Sequence, residues 1–499
     1  LTISKSRFLA GLQCHKRFWF EAHPSAADPD PPDPLSLYVQ EQGSEVGRLA
    51  RALHPDGLEI TATAGQPGQA LRQTQAAVAA GHAVLYEAAA QGGGAFARAD
   101  LLLRQGPEGP WDLLEVKASG HKEPSELADG QEGFLWDLAF QRHAFSQGGF
   151  SMGRASLALI NKDYVREGGL DPRGYFKIVD VSGAVEQRQA QVPALLRAMA
   201  AAGRSDRAPA RAIGGHCSLP HACPFQGQCW PAPAPDSVFS LRGLSLTRKL
   251  ALHHAGRGRF SQLGREKLNE WQAKQVKAQR SGRAFVDKPK IREFLAGLRY
   301  PLFHLDFETL NTALPPFDGV RPFAQTVFQF SLHVQDAPGA RPAHFEYLPK
   351  DTADPRPALL ASLLELLGDE GTILAYNAPF EKGRLQDLAE AFPRQRQAIA
   401  AVLRRFQDLI TPFKNGWLVH PAFEGSTSIK AVLPALVPSM SYDGMAVADG
   451  GGAIRAYAEF LKPETTAMRR RKIREDLLAY CGQDTLAMVK VLEALQALV

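Results

Sequence analysis

The chain has 499 residues, 45% of them hydrophobic and 22% charged. That balance excludes a disordered chain and exceeds what one ordinary domain needs, so about two or three domains are expected. No uninterrupted apolar run is long enough to cross a bilayer, and residues 1–8 lack the apolar core of a secretory leader, so a cytoplasmic protein is expected.

The net charge is +5, a mild excess that hints at a polyanionic partner. Its distribution says more. Basic residues crowd 242–299 and recur at Arg469, Arg470, Arg471 and Lys472. A charge run is ordinarily a solvated face, but this one leads into a helix with candidate catalytic residues, which points to phosphate contact. Of the five cysteines, Cys14, Cys217, Cys223 and Cys229 form one set and Cys481 stands apart. In a cytosolic chain, metal binding by cysteine comes before disulfides.

In chain order, Phe8, Leu9, Leu12, Phe18 and Trp19 give an amphipathic helix with Cys14 inside it. The Pro/Asp-rich stretch 24–34 excludes regular structure, and 42–51 reads as a helix. Strands follow at 83–87, 96–103 and 111–117, separated by Gly-rich turns as a meander requires. A helix over 132–145, strands at 156–160 and 175–179, and a helix over 185–202 complete this part. The second strand sets Asp100 among apolar neighbours. The third puts Glu115 and Lys117 two apart, on one face. An acid followed by Glu-x-Lys is what a metal-dependent phosphodiesterase needs: the carboxylates hold a cation and the lysine orients water or offsets charge. An ordinary hairpin with a surface salt bridge is the plain alternative. Gln141 and Phe145 lie on the helix that follows.

Cys217, Cys223 and Cys229 lie in a Pro/Gly loop and form a soft-ligand cradle suited to zinc or an iron–sulfur cluster. Three thiolates complete neither site. Cys14 is the available fourth, with His216 and His221 as rivals for zinc.

Residues 1–232 resemble the RecB-type PD-(D/E)XK nucleases that carry an iron–sulfur cluster, a group that includes CRISPR adaptation nucleases and the AddB subunit of end-resection complexes. The resemblance rests on Cys14, Asp100, Glu115-Val-Lys117, Gln141 and the cysteine trio. It implies a [4Fe–4S] cluster on Cys14, Cys217, Cys223 and Cys229 that staples the ends of the module together. It also implies that Asp100 and Glu115 are metal ligands, Lys117 the catalytic lysine and Gln141 the helix residue of the last motif. Two positions depart. Phe145 stands where that motif has tyrosine, and where the early helix often offers histidine only Glu45 is near.

Residues 233–298 read as a helical basic connector, either a plain linker or a helix–turn–helix clamp around 255–259 with turn amides facing phosphate. The last domain, 299–499, opens on a strand at 301–308 whose Asp306 and Glu308 project from one face. Two acids so placed repel unless a hard cation lies between them. Strands at 326–333 and 343–348, a helix over 356–367 and a buried strand at 371–377 follow. That strand turns into a helix with Glu381 in its first turn, where a negative charge is favoured. A final helix over 475–498 carries Tyr480 and Asp484 four apart, on one face. Asp306, Glu308, Glu381 and Asp484 can converge on one crevice and hold two cations about 4 Å apart, with Tyr480 orienting the attacking water.

This segment resembles the DEDD exonucleases, the DnaQ-like branch of the ribonuclease H fold. Asp306-Phe-Glu308 matches the first motif, Asn377-Ala-Pro-Phe-Glu381 the second and Tyr480-x-x-x-Asp484 the third, in the tyrosine subtype. The second motif usually has Asp, and Glu381 is one methylene longer. The whole chain looks like a bacterial fusion of the two modules. The expected fold class is α/β multidomain: a restriction-endonuclease-like core with an iron–sulfur staple, the helical connector, and a ribonuclease H-like mixed sheet with helices. The expected function is Mg²⁺- or Mn²⁺-dependent 3′–5′ exonuclease action on single-stranded DNA ends, with Arg469–Lys472 and the connector holding the strand; Phe307, Phe380 and Trp417 are candidates for base stacking, with core packing the favoured reading for the two phenylalanines. The alternatives are an exoribonuclease, or a nucleic-acid-binding adaptor whose N-terminal module is inactive.

Overall fold

The computed structural model describes residues 2–63, 65–120, 132–264 and 266–499. The chain is mixed α/β and divides into two compact units. The first is Leu1–Ala232 with Thr312–Phe323, and the second is Pro233–Asn311 with Ala324–Val499. Among the described residues no helix is long and apolar enough to cross a membrane.

The first unit is built on a seven-stranded mixed sheet. Its strands are β1 (Ile3–Ser4), β2 (Leu58–Glu59), β3 (Val84–Gly92), β4 (Ala95–Arg104), β5 (Trp111–Gly120), β6 (Met152–Ile160) and β7 (Phe176–Asp180). They run in the order β2-β3-β4-β5-β6-β7, with β1 alongside β4. The meander β3-β4-β5 is antiparallel as its turns predict, and β6 joins parallel to β5. Alanines at 88, 90, 97 and 99 leave room for the helix Glu132–Gln147 to lie against β3 and β4, with Leu138, Phe140, Ala144 and Phe145 fully buried. Truncating such a phenylalanine costs about 3–5 kcal/mol. A second apolar layer joins Val46 and Ala50 of the helix Pro34–Arg51 to Leu101, Leu114, Ile160, Tyr175 and Ala313. Residues 312–323 are therefore part of this unit's core, and Tyr175 donates to the Ala313 carbonyl at 2.8 Å.

Two helices here differ from expectation. The first is cut by Cys14 into Lys5–Gln13 and His15–Ala22. The helix expected over 185–202 is two, Ser182–Gln189 and Val192–Gly203, because Pro193 starts a new one at its second residue.

The second unit contains a five-stranded sheet and a two-stranded ribbon. The strands are β8 (Phe285–Val286), β9 (Leu302–Asn311), β10 (Gln325–Gln335), β11 (Ala343–Tyr347), β12 (Thr372–Ala375), β13 (Phe406–Asp408) and β14 (Leu418–Val419). The sheet order is β11-β10-β9-β12-β13, and β8 pairs with β14. β9 is central, antiparallel to β10 and parallel to β12. Its pleat sorts the side chains: Phe303, Leu305 and Phe307 enter an apolar core with Leu359, Leu363, Leu385 and Ile399, while His304, Asp306 and Glu308 share the opposite face. The helix Ala467–Ala497 packs against β9 and β10. Gly371, at φ +86, lets β12 enter beside β9, since a Cβ there would collide with the Pro301 carbonyl.

Residues 233–298 fold within the second unit, around Val238, Leu241, Leu252, Phe260, Leu263 and Val276. Trp271 donates to the Phe413 carbonyl at 3.1 Å, and β8 adds its edge to β14. Among the described residues, the helix Leu246–His254 is followed by the short turn Phe260–Gln262 and then by a helix from Glu270, and no helix–turn–helix is seen around 255–259.

Candidate functional site

The pleat of β9 brings Asp306 and Glu308 to one face. The final helix contributes Tyr480, Cys481 and Asp484, and the helix Pro379–Ala391 brings Glu381 in its first turn. That last placement depends on Asn377, which takes the left-handed conformation (φ 78) where strand turns to helix. Its amide donates to Asp408 at 2.9 Å. Glu308, Glu381 and Asp484 are only 7%, 3% and 8% exposed, so their charges are largely cut off from water. Ligand atoms of Asp306, Glu308 and Cys481 all lie within 4.8 Å of one another, a group that does not include Glu381 or Asp484.

Electrostatics separates this pocket from an ordinary polar core. Burial raises the Asp306 and Glu308 carboxyls well above the usual range, and the neighbouring Asp484 raises both further. Burial pushes Glu381 up to about 8. Burial also raises Asp484, against hydrogen bonds from Tyr442, at 2.6 Å, and Tyr480 and the pull of Lys430. Two like charges at about 4 Å repel by about 4 kcal/mol at an effective dielectric of about 20, which disfavours ionising Asp306 and Glu308 together without a counter-charge. Lys430 pulls on Glu308 and Asp484, but it donates to the Ala448 carbonyl at 2.6 Å and lies over the Tyr442 and Tyr480 rings. Glu381 Oε2 is buried without a hydrogen-bond partner. Oxygen donors, excess negative charge and an orphaned carboxylate oxygen fit a divalent cation.

The predicted residues of the first unit also come together, in a different electrostatic state. Glu115 Oε1 accepts from Lys117 at 2.7 Å and from Lys5 at 2.9 Å, and Gln141 donates to Glu115 Oε2 at 2.7 Å. Asp137 accepts from Lys117 at 2.6 Å and from Gln141 at 2.8 Å. Burial acts to raise the Glu115 carboxyl, yet Lys117 and Lys5 hold it below the usual range. Burial and then Glu115 push Asp100 up to about 7, while its Oδ2 accepts from the Val116 amide. Three acids face two ammonium groups, so most of the charge is already balanced. Phe145 is a core residue, stacked edge-on against Phe150. Glu45 accepts from Gln42 on its own helix.

Cys14, Cys217, Cys223 and Cys229 line one pocket, together with Arg17, Arg211 and His216. Cys14 is extended (φ −165) and caps both helices, ending Lys5–Gln13 and starting His15–Ala22. Gln13 donates to the His216 and His221 carbonyls at 2.7 and 2.8 Å, tying the first helix to the cysteine loop. Among the described residues, no three of these thiols and imidazoles have donor atoms within 4.8 Å of one another. A tetrahedral zinc thiolate site, with Zn–S near 2.3 Å, needs sulfurs about 3.8 Å apart.

The basic run is engaged within the protein. Arg469 pairs with Glu459, Arg471 with Glu475 and Lys472 with Asp476, while Arg470 donates to the Phe460 and Lys462 carbonyls. Phe307 is core, Phe380 lies under the Arg384 guanidinium and Trp417 is half-buried.

Sequence reasoning missed five residues in these clusters. Asp137 was accessible, since it lies four residues before Gln141 on one helix face. Cys481 follows Tyr480 directly. Lys5, Lys430 and Tyr442 carry no local signal, because only the tertiary fold brings them in.

The family model of a domain of unknown function, DUF2779, matches residues 303–428. That stretch contains Asp306, Glu308 and Glu381 and ends before Tyr480 and Asp484. The uncharacterized protein UU173 of Ureaplasma parvum is 25% identical over 222 residues, 40% of this chain and 32% of that protein. The uncharacterized MG366 homolog of Mycoplasma pneumoniae is 25% identical over 224 residues, 40% of this chain and 33% of its own length. The chain thus spans about a third of the length of the relatives it matches. No solved structure matches.

Proposed function

We propose that the second unit is a divalent-metal-dependent phosphodiesterase of the DnaQ-like type, which removes nucleotides 3′ to 5′ from single-stranded DNA using Mg²⁺ or Mn²⁺. The observation that carries this reading is the carboxylate pocket: buried acids from a strand and two helices, with Glu381 Oε2 unpartnered. When bound, such cations polarise the scissile phosphate and lower the pKa of a water. Asp306, Glu308, Glu381 and Asp484 would hold them. Tyr480, whose hydroxyl is kept protonated by burial and by Asp484, is a donor that fixes the position of that water. End-labelled single- and double-stranded DNA and RNA, incubated with Mn²⁺, test the reading. Wild type should release mononucleotides from single-stranded DNA, and Asp306→Asn should not. Release that survives Asp306→Asn places the chemistry elsewhere, and faster release from RNA changes the substrate.

For the first unit we propose a RecB-like module with a [4Fe–4S] cluster on Cys14, Cys217, Cys223 and Cys229. The support is the pocket that all four cysteines line. The expected result is brown visible absorbance that Cys223→Ser removes, whereas stoichiometric zinc would overturn it. One observation favours a clamp over a second cutting site: Lys5 and Lys117 already neutralise Glu115 and Asp137. On this reading Asp100→Asn leaves degradation unchanged. Loss of cleavage in that variant would restore catalysis to Asp100, Glu115, Lys117 and Gln141.

A further inference from the structure

We propose that Cys481 is a metal ligand of the carboxylate pocket, adding a soft sulfur donor to Asp306 and Glu308 so that one cation position prefers a thiophilic divalent ion to Mg²⁺. The inference rests on the metal-dependent reading of that pocket and goes beyond it by naming a further donor and the class of ion it selects.

Cys481 is fully buried on the final helix, in the turn that joins Tyr480 to Asp484. A buried cysteine is usually a small apolar filler. This one faces carboxylates. Its Sγ lies 3.6 Å from Asp306 Oδ2 and 4.0 Å from the Asp306 carbonyl. The group Asp306, Glu308 and Cys481 is the metal-capable cluster found among the described residues.

The spacing is informative. A tetrahedral cation bonded at about 2.1 Å to oxygen and about 2.3 Å to sulfur holds those two atoms about 3.6 Å apart. Without a cation, the thiol at that distance donates weakly to Asp306. With one, the thiol proton leaves for bulk buffer and sulfur takes the cation in its place. A second observation points the same way. Glu381 Oε2 is buried and unpartnered, and the charge of Glu381 acts on both Asp306 and Glu308. The pocket therefore holds a thiol against the Asp306 carboxylate and, nearby, an unpartnered carboxylate oxygen on Glu381. Mg²⁺ demands octahedral oxygen ligands and gains nothing from sulfur. Zn²⁺, Cd²⁺ and Co²⁺ accept mixed oxygen and sulfur sets.

The experiment uses the full chain, with Cd²⁺ as the probe and Mg²⁺ as competitor, on wild type, Cys481→Ser, Cys481→Ala and Asp306→Asn. The thiols of Cys14, Cys217, Cys223 and Cys229 are further soft donors for Cd²⁺, so the readout is the wild-type-minus-variant difference spectrum. A sulfur-to-cadmium charge-transfer band should appear in the difference with Cys481→Ser, and should weaken in Asp306→Asn. The ratio of Cd²⁺ to Mg²⁺ affinity should fall about tenfold or more in Cys481→Ser, which keeps the side chain's size but offers a hard oxygen. A flat difference spectrum with both cysteine variants, or an unchanged affinity ratio, overturns the proposal. Nucleotide release in the same samples separates the two claims. Release with a flat difference spectrum removes only the ligand assignment, while the band without release from any substrate removes only the nuclease reading.

Discussion

Glu381 is the residue whose burial has the sharpest consequence. Its carboxyl would titrate near 4.5 in water and is pushed up to about 8 in the fold. The folded state therefore prefers the protonated acid. The stability this group contributes is fully present below about pH 4.5 and is lost as pH rises toward and through about 8. At 1.36 kcal/mol per pKa unit the loss over that window is roughly 4 kcal/mol for the metal-free protein. Glu381→Gln should flatten that part of the profile, so the variant should be the more stable protein at pH 8 and unable to hold the second cation. Denaturant midpoints from pH 5 to 8 in the presence of chelator check this; parallel profiles for the two proteins would contradict it. Tyr480→Phe tests a different role. It keeps the buried ring and removes the hydroxyl, so release of nucleotides should fall about 100-fold with little change in unfolding midpoint. At this scale the placement of Asp306 and Glu308 on one strand face, of Glu381 in a first helical turn and of Tyr480 and Asp484 on one helix was legible, because a period of two, a first-turn position and a four-residue spacing are local rules. Cys481 could have been suspected from its neighbour. Lys430 and Tyr442 could not, since both enter from loops and helices that only the tertiary fold brings to the pocket.

Elements were legible where the pattern was self-contained and illegible where a distant contact set the boundary. The meander β3-β4-β5 and the pleat of β9 follow from alternation alone. The break at Cys14 does not, because it coincides with Gln13 reaching the His216 and His221 carbonyls some two hundred residues away. The final helix was expected from 475 and begins at Ala467, capped by the Thr466 side chain. The charge run is exposed as a solvated face is, and Arg471 with Glu475 and Lys472 with Asp476 are also helical i,i+4 pairs that support the extra turns. The β12-to-helix turn makes a prediction of its own. Asn377 is left-handed, which costs an ordinary side chain about 1–2 kcal/mol and glycine nothing. Asn377→Val should lower stability by about that amount and displace Glu381, so Mn²⁺-dependent activity should fall by more than the stability loss explains. Asn377→Gly should keep both. Equal activity in the two variants at matched folded fraction would detach the turn from the site.

At the scale of the whole molecule, two α/β units were legible from the two strand-rich regions and their separate motifs. Two features were not. Residues 233–298 have the basic, helical look of a linker, but Trp271, Val276 and β8 give them apolar and hydrogen-bonded roles in the second unit. Residues 312–323 follow directly on β9 yet pack in the first unit, a long-range choice that hydrophobic period cannot reveal. The units also differ in how they carry charge. The first sets two lysines against its acids, and the second leaves its acids largely unbalanced. A ligand that binds only the folded state stabilises it by RT ln(1 + [L]/Kd), about 2.7 kcal/mol at a hundredfold excess over Kd. If the unbalanced pocket is the cation site, Mn²⁺ should raise the unfolding midpoint of the wild type and of Asp100→Asn equally. Asp306→Asn should abolish the effect, although that variant should be the more stable protein in chelator because one repulsive charge is gone. Denaturant titrations with Mn²⁺ and with chelator on the three proteins measure both signs. A gain that survives Asp306→Asn and disappears in Asp100→Asn would move the cation to the first unit, where it would have to displace Lys5 from Glu115.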